Sequence, residues 1–502
     1  MPVVTVVSLV ALALGLVNIR TGESASGSTG NARVITVALS SQGRAIPTGF
    51  LGLSLEYSSV KAYAGSDPAH TNPVFVQLIR NLTPGQRPVL RIGGDSTDWT
   101  WWPVPGFARP AGVTYTLDTN WIGVTRALAR ALGARLILSL NLEADSPALA
   151  AAEAQALTDG VGAGSVLAFE LGNEPELYGT FPWYRTPEGG KVPGRPRDYG
   201  FAAFMHDFTT FSGALPGVVL AGPSTGGSGW MGYLRQFLSA EPQVKLVTLH
   251  RYPLQLCFTA PRSLRYPTIG RLLSSKASAG LADSFAPSIA VAHAHGLPVR
   301  IDELNTVSCG AFPAVSGTFA SALWAVDTLF ELARVGVDGV NVHTFPGAGY
   351  ELFRFNHANG GWYGSVSPEY YGLLMFAKST PPGSRLLAIS GETGSRLKAW
   401  ATATPDGRVR VVLINKDLAH AQVVAVRAPA AAGTATMQLL AAPSVKASTG
   451  ATLGGQSIGT RSVTGTLQGT PRMIAVTQDR GNYTVTLPAA SGALLTFRGP
   501  RR

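Results

Sequence analysis

The sequence predicts an α/β fold: a (β/α)8 barrel followed by a C-terminal β-sandwich. Two observations lead to it. From Gly49 onward, short apolar runs alternate with helical stretches, the signature of βα units around a parallel sheet. Beyond the Pro-Pro-Gly of residues 379–384 the texture changes to short alternating strands and turns that run almost to the end. A chain of 502 residues in which 45% are apolar and only 14% charged has material for one large domain and a smaller one. That composition excludes a disordered or fibrous protein.

Eight candidate strands are expected at residues 50–57, 88–92, 135–141, 166–173, 218–221, 244–250, 299–303 and 339–344. Their continuous Val/Leu/Ile interiors suit strands buried on both faces. Residues 119–132, 147–157, 199–215 and 317–335 repeat apolar residues at three- and four-residue spacing, so helices fill the gaps. Ser146 and Pro147 read as an N-cap and first helical position. The count of eight favours a closed barrel over an open sheet, and no G-x-G-x-x-G follows the first strand. The expected divisions are 1–30, leader; 31–48, a strand joining the sandwich; 49–378, barrel; and 384–502, sandwich. Alternation on both sides of Pro405-Asp406-Gly407 marks a hairpin within the last.

Residues 3–17 are apolar and precede a Ser/Gly/Thr-rich stretch, which reads as an export signal without the usual preceding positive charge. Fifteen residues are short for a membrane anchor, the alternative, so no stable membrane association is expected. The two cysteines, Cys257 and Cys309, are compatible with one disulfide in an exported chain or with two free thiols. A formal charge of +11 is spread as single arginines with no basic run or helix face. That excludes a nucleic-acid partner and suits attraction to an acidic polysaccharide.

Polar residues at the C-terminal ends of barrel strands face the active-site mouth. Glu56, Asp95, Asn141, Glu143, Asn173, Glu174 and Glu303 all stand at expected strand ends. Any one could be a helix cap; several converging on one mouth argue for chemistry. The sharpest segments are Glu170-Leu171-Gly172-Asn173-Glu174-Pro175 and Val299-Arg300-Ile301-Asp302-Glu303-Leu304-Asn305. They place Glu174 and Glu303 three strands apart, facing each other. Glycoside hydrolysis needs such a pair, one carboxylic acid to protonate the departing oxygen and one carboxylate to meet the oxocarbenium-like carbon. Asn173 is positioned to bond a sugar 2-hydroxyl. His250 and His343 end strands six and eight and read as hydrogen-bonding residues of the mouth, with no metal-ligand cluster and no cofactor expected. Trp99, Trp101, Trp102, Trp183 and Tyr184 are either sugar-stacking rings or loop packing.

Asn-Glu-Pro ending strand four, with a glutamate ending strand seven, resembles the clan of retaining barrel glycosidases. Leu90-Arg91-Ile92-Gly93-Gly94-Asp95-Ser96-Thr97-Asp98 and His250-Arg251-Tyr252-Pro253 look like glycoside hydrolase family 79, which holds β-glucuronidases and heparanases. The resemblance implies Glu174 as acid/base, Glu303 as nucleophile, and Glu56 and Asp95 as holders of sugar hydroxyls. It also implies that Tyr252 orients Glu303, and that Gly349 and Tyr350 grip a substrate carboxylate. The family carries a tyrosine five residues after the nucleophile; here Ser308 stands there, followed by Cys309 and Gly310, whose hydroxyl and backbone N–H could serve instead. A Cys257–Cys309 bridge would brace the loops bearing Tyr252 and Ser308. The expected activity is exo β-glucuronidase on a glucuronate-containing substrate. The alternatives are an endo-acting heparanase-like enzyme, another β-glycosidase such as a β-glucosidase, and a non-catalytic carbohydrate-binding surface protein.

Overall fold

The computed structural model describes residues 32–38, 43–391, 393–428 and 433–498. The expected leader lies outside them. Eight parallel strands close a barrel: β1 (Leu51–Glu56), β2 (Val89–Gly93), β3 (Arg135–Leu140), β4 (Val166–Leu171), β5 (Leu220–Thr225), β6 (Val244–Arg251), β7 (Val299–Leu304) and β8 (Gly339–Thr344). Closure is made by β8 on β1, with Val340 opposite Leu51 and Thr344 opposite Leu55. The largest departure from the expected strands is β5, which runs on to Thr225 rather than stopping at 221. Gly222-Pro223 reads as a break in a sequence, yet the strand carries it through beside a register irregularity, a position where proline is tolerated.

Between strands, the helix Thr119–Leu132 begins where the Asp118 side chain accepts from Trp121 N at 2.6 Å and ends at Gly133, whose φ of 63° is left-handed. The helix Pro147–Val161 is capped by Ser146, accepting from Leu149 N at 3.4 Å. Arg300 and Asn341 fill the N-terminal end of the barrel. Arg300 donates to Asn341 Oδ1 at 2.8 Å and to Gly49 O at 2.7 Å, and Asn341 donates to Leu53 O at 2.7 Å. A side chain at Gly339 would collide with that guanidinium. The bottom is therefore closed by polar packing, and only the opposite end is left for a site.

The C-terminal domain is a ten-stranded sheet folded into two layers. Its strand Arg385–Gly391 turns the corner: its first residues pair with Leu397–Ala403, its later ones with the early strand Arg33–Ala38. Period-two alternation divides the strand Arg408–Asn415 between two cores. Val409, Val411 and Leu413 enter the sheet's own core, while Val412 and Ile414 join that of the barrel. Trp400 stacks on Phe330 with centroids 5.4 Å apart and donates to Asp327 Oδ1 at 2.9 Å, which locks the two bodies together. Among the described residues, no helix is long and apolar enough to cross a membrane.

Candidate active site

The floor of the mouth is one fully buried guanidinium. Arg91 alternates inward on β2 and donates to Glu170 Oε2 at 2.9 Å, Glu303 Oε2 at 2.7 Å and Asn173 Oδ1 at 2.8 Å. A buried charge survives only with such partners. Asp302 Oδ2 lies 3.7 Å from the same Nε. Burial would raise Glu170, but Arg91 and a hydrogen bond from Asp302 bring it down to about 2. Burial and the Glu170 charge push Asp302 the other way, well above the usual carboxylate range.

Above the floor stand the two glutamates. Glu174 leaves β4 in the left-handed region, φ 46°, with its N–H donating to Ser224 O at 3.0 Å; Pro175 then opens a 3-10 turn. His250, at the end of β6, bridges Glu174 and the floor: Nδ1 is 3.2 Å from Glu174 Oε1, and Nε2 is 3.6 Å from Asp302 Oδ1. One oxygen of Glu174 and one of Glu303 lie within 4.8 Å of each other and of the His250 ring. Tyr252 donates to Glu303 Oε1 at 2.8 Å. Burial alone would raise Glu303, yet His343, His250, Arg91 and the Tyr252 hydroxyl outweigh it and hold its carboxylate well below the usual range. Burial works against charge on His250 too, but Asp302, Glu303 and Glu174 lift it to about 9. Glu303 is therefore a fixed anion facing a fixed cation.

One side of the mouth is a corner of two carboxylates, Glu56 and Asp95. Glu56 Oε2 accepts from Ser96 N at 2.8 Å, and Oε1 lies 3.3 Å from His343 Nε2. Asp95 is open to water at the cleft, within 3.3 Å of Asn173 Nδ2. Its enclosure by the walls, then the charges of Glu56, Glu303 and Glu174, raise its carboxyl above the ordinary range. The other side is a wall of Tyr252, Ala311, Ala348 and Tyr350. The Tyr252 and Tyr350 rings lie 6.1 Å apart, and Gly349 passes so close to Ala311 and Pro313 that a Cβ there would sit 3.0 Å from each. Ser308 lies in the short strand Val307–Ser308, paired with Leu254–Gln255. A Cys257–Cys309 disulfide, with Cα atoms 5.8 Å apart, ties the same two loops.

Glu56, Asp95, Asn173, Glu174, Glu303, Tyr252 and Tyr350 thus share one mouth. Ser308 and Gly310 make no side-chain hydrogen bond to those residues among the described residues. Two residues, Arg91 and Asp98, were given no role by sequence reasoning. Arg91 was visible as a lone charge inside an apolar strand. The ring of His250 was visible, but its bridging of Glu174 and Asp302 was not. Asp98 gathers three strand exits, accepting from Leu142 N at 2.9 Å, Asn173 N at 3.0 Å and Tyr178 Oη at 2.7 Å. Of the tryptophans, Trp101 is buried and bonds Thr116, and Trp183 donates to Asp98 O at 2.7 Å against Gly112; both pack loops.

The expectation of no metal-ligand cluster needs correction. Glu170, His250 and Asp302, and likewise Glu174, His250 and Glu303, place ligand atoms within 4.8 Å of one another. They come from separate strands, so no spacing in the sequence announces them. Their negative charge is already met by Arg91 and by a His250 that carries its proton at neutral pH, leaving it no lone pair for a cation.

Residues 399–494 match the glycosyl hydrolase family 79 C-terminal beta domain. A β-glucuronidase of Neurospora crassa is 23% identical over 392 residues, 70% of this chain and 67% of that protein. The fold is similar to that of the 4-O-α-L-rhamnosyl-β-D-glucuronidase of Fusarium oxysporum, with a TM-score of 0.69 at 19% identity over 92% of this chain and 100% of that one. It is also similar to the GH51 arabinofuranosidase of Xanthomonas axonopodis pv. citri, with a TM-score of 0.64 at 15% identity over 93% of this chain and 99% of that one.

Proposed function

We propose that the chain, whose residues 399–494 match the glycosyl hydrolase family 79 C-terminal beta domain, is a family 79 glycoside hydrolase that releases β-linked glucuronic acid by double displacement, with Glu174 as general acid/base and Glu303 as nucleophile. The observation that carries the reading is the approach of the two carboxylates to within 4.8 Å. Retaining enzymes hold the pair about 5 Å apart, whereas inverting ones leave about 6.5–9.5 Å for a water.

In the first step Glu303 attacks the anomeric carbon as Glu174 gives its proton to the glycosidic oxygen, and the aglycone leaves as the free alcohol or phenol. In the second, Glu174 takes a proton from water, whose oxygen displaces Glu303 from the sugar. Tyr252 and Arg91 each engage one oxygen of Glu303 and so aim it. His250 engages Oε1 of Glu174, which leaves Oε2 for the leaving group. Glu56 and Asp95 suit the ring hydroxyls, Asn173 the 2-hydroxyl, and Tyr350, Gly349, Ser308 and Gly310 the uronate carboxylate. The disulfide and the apolar leader favour an extracytoplasmic site of action.

Hydrolysis of chromogenic β-glucuronide and β-glucoside is measured side by side, with Glu303→Gln as control and the anomer of the first product read by NMR. Selective glucuronide cleavage with a β-product, abolished in the variant, is expected. An α-product would overturn the double displacement. Equal or preferred glucoside cleavage would overturn the uronate assignment and point to Ser308.

A further inference from the structure

Two phenylalanines meet in the open beside the proposed acid. Phe181 lies on the chain leaving β4: Leu177 N donates to Glu174 O at 2.8 Å and Phe181 N to Leu177 O at 2.9 Å, so two consecutive turns carry the backbone from Glu174 to Phe181. Phe258 follows β6, one residue past Cys257. The rings touch edge to face with centroids 5.5 Å apart, yet 38% of Phe181 and 58% of Phe258 remain open to water. β4 and β6 are also the strands whose ends bring Glu174 and His250 together at 3.2 Å. The pair therefore spans the gap over β5, on the side of the mouth that belongs to Glu174.

The chain beside each ring is held in place. Cys257 is held by the disulfide to Cys309. The segment bearing Phe181 is strapped down by Arg195, which donates to Glu143 O at 3.0 Å and to Asp207 Oδ2 at 2.9 Å and lies over the Tyr178 ring at 5.9 Å. Apolar surface held in water at a fixed place marks a binding face. A leaving group departs on the acid/base side, and the chain that leaves Glu174 is the one that carries Phe181.

We propose that Phe181 and Phe258 form the aglycone subsite and that it takes a flat aromatic leaving group, a phenolic glycoside in place of a second sugar. This rests on Glu174 being the acid/base. Apart from Glu188 just beyond the first, residues 177–187 and 256–271 contain no Asp, Glu, Asn or Gln, so neither segment offers a carboxylate or carboxamide to the hydroxyls of a second sugar. What they offer instead is the phenylalanine pair, ready to stack a third ring. Their charged residues, Arg185, Arg262, Arg265 and Arg271, are all positive, which suits an electron-rich aromatic face.

The test compares 4-methylumbelliferyl and methyl β-glucuronides on the wild type, Phe181→Ala, Phe258→Ala and Phe258→Trp. Both residues are exposed, so the alanine variants retain the fold, checked by an unchanged melting temperature. KM for the aryl substrate should rise about two- to tenfold in each alanine variant, from the loss of one ring contact. The methyl glycoside should change by less than twofold, and Phe258→Trp should restore tight aryl binding. Inhibition by free 4-methylumbelliferone should weaken in parallel in the alanine variants. Equal effects on both substrates, or none on either, would overturn the subsite. If the wild type turns over glucosides rather than glucuronides, the same aryl and methyl pair is run with that sugar, and product inhibition reads the subsite independently. Failure of the uronate reading is thereby told apart from failure of this one.

Discussion

Replacing Arg91 by methionine tests the floor of the site. The guanidinium is fully buried and holds two carboxylates, at 2.9 Å and 2.7 Å, with a carboxamide at 2.8 Å. Methionine keeps much of the side-chain length but strands Glu170 and Glu303 as buried carboxylates short of their cation, and breaking a buried pair this way costs about 3–5 kcal/mol. Globular proteins gain about 2.1 cal/mol/K of entropy per residue on unfolding near the midpoint, so a barrel of about 330 residues gives roughly 0.7 kcal/mol per degree and a fall in Tm of about 4–7 °C. Arg91 is also one of the groups holding Glu303 below its ordinary range. Its loss raises that carboxyl, and the acid limb of the kcat/KM profile moves to higher pH. Differential scanning calorimetry and a pH–rate profile of the same preparation read both effects. An unchanged Tm together with an unchanged acid limb would refute the claim that Arg91 holds these carboxylates ionised.

Two further predictions follow from the same geometry. His250 titrates at about 9 in the folded protein, above an ordinary histidine. Its stabilising contribution is complete below about pH 6.5 and is lost as pH rises through 9, about 3 kcal/mol at most. Thermal melts from pH 6 to 9.5 should show that decline, and His250→Gln should flatten it; an equal slope in the variant would count against a charged His250. The Cys257–Cys309 bridge closes a loop with a sequence separation of 52, for which chain entropy gives up to about 4 kcal/mol. The Cys257→Ser/Cys309→Ser variant should melt lower and show a higher KM for the glucuronide, because the bridge joins the loops of Tyr252 and Ser308. A KM equal to the wild type would remove the brace from substrate binding.

Legibility in the sequence tracked the range of the physics. Strand interiors and the helix Thr119–Leu132 were readable because burial on both faces and i, i+3, i+4 spacing are local patterns. Ser146 and Pro147 marked a helix start for the same reason. β5 was cut short because Gly222-Pro223 is a break by local rules and only its neighbours in the sheet hold it straight. The exposed pair Phe181–Phe258 was overlooked while Trp101 and Trp183 drew attention, since exposure depends on what lies across the mouth and not on residue type.

By itself the sequence determined that eight βα units precede a β-rich domain, and that glutamates end the fourth and seventh strands, because strand ends and hydrophobic periods are properties of a few adjacent residues. It also carried the motifs by which a family is recognised. Tertiary structure alone decided that Arg91 serves three partners on β4 and β7, that His250 joins Glu174 to Asp302, and that Asp98 gathers the exits of three strands. Those contacts join residues 44 to 212 positions apart, and charge felt across the barrel's interior depends on distance in space through a poorly screening medium. Only closure of the barrel brings such charges within reach of one another.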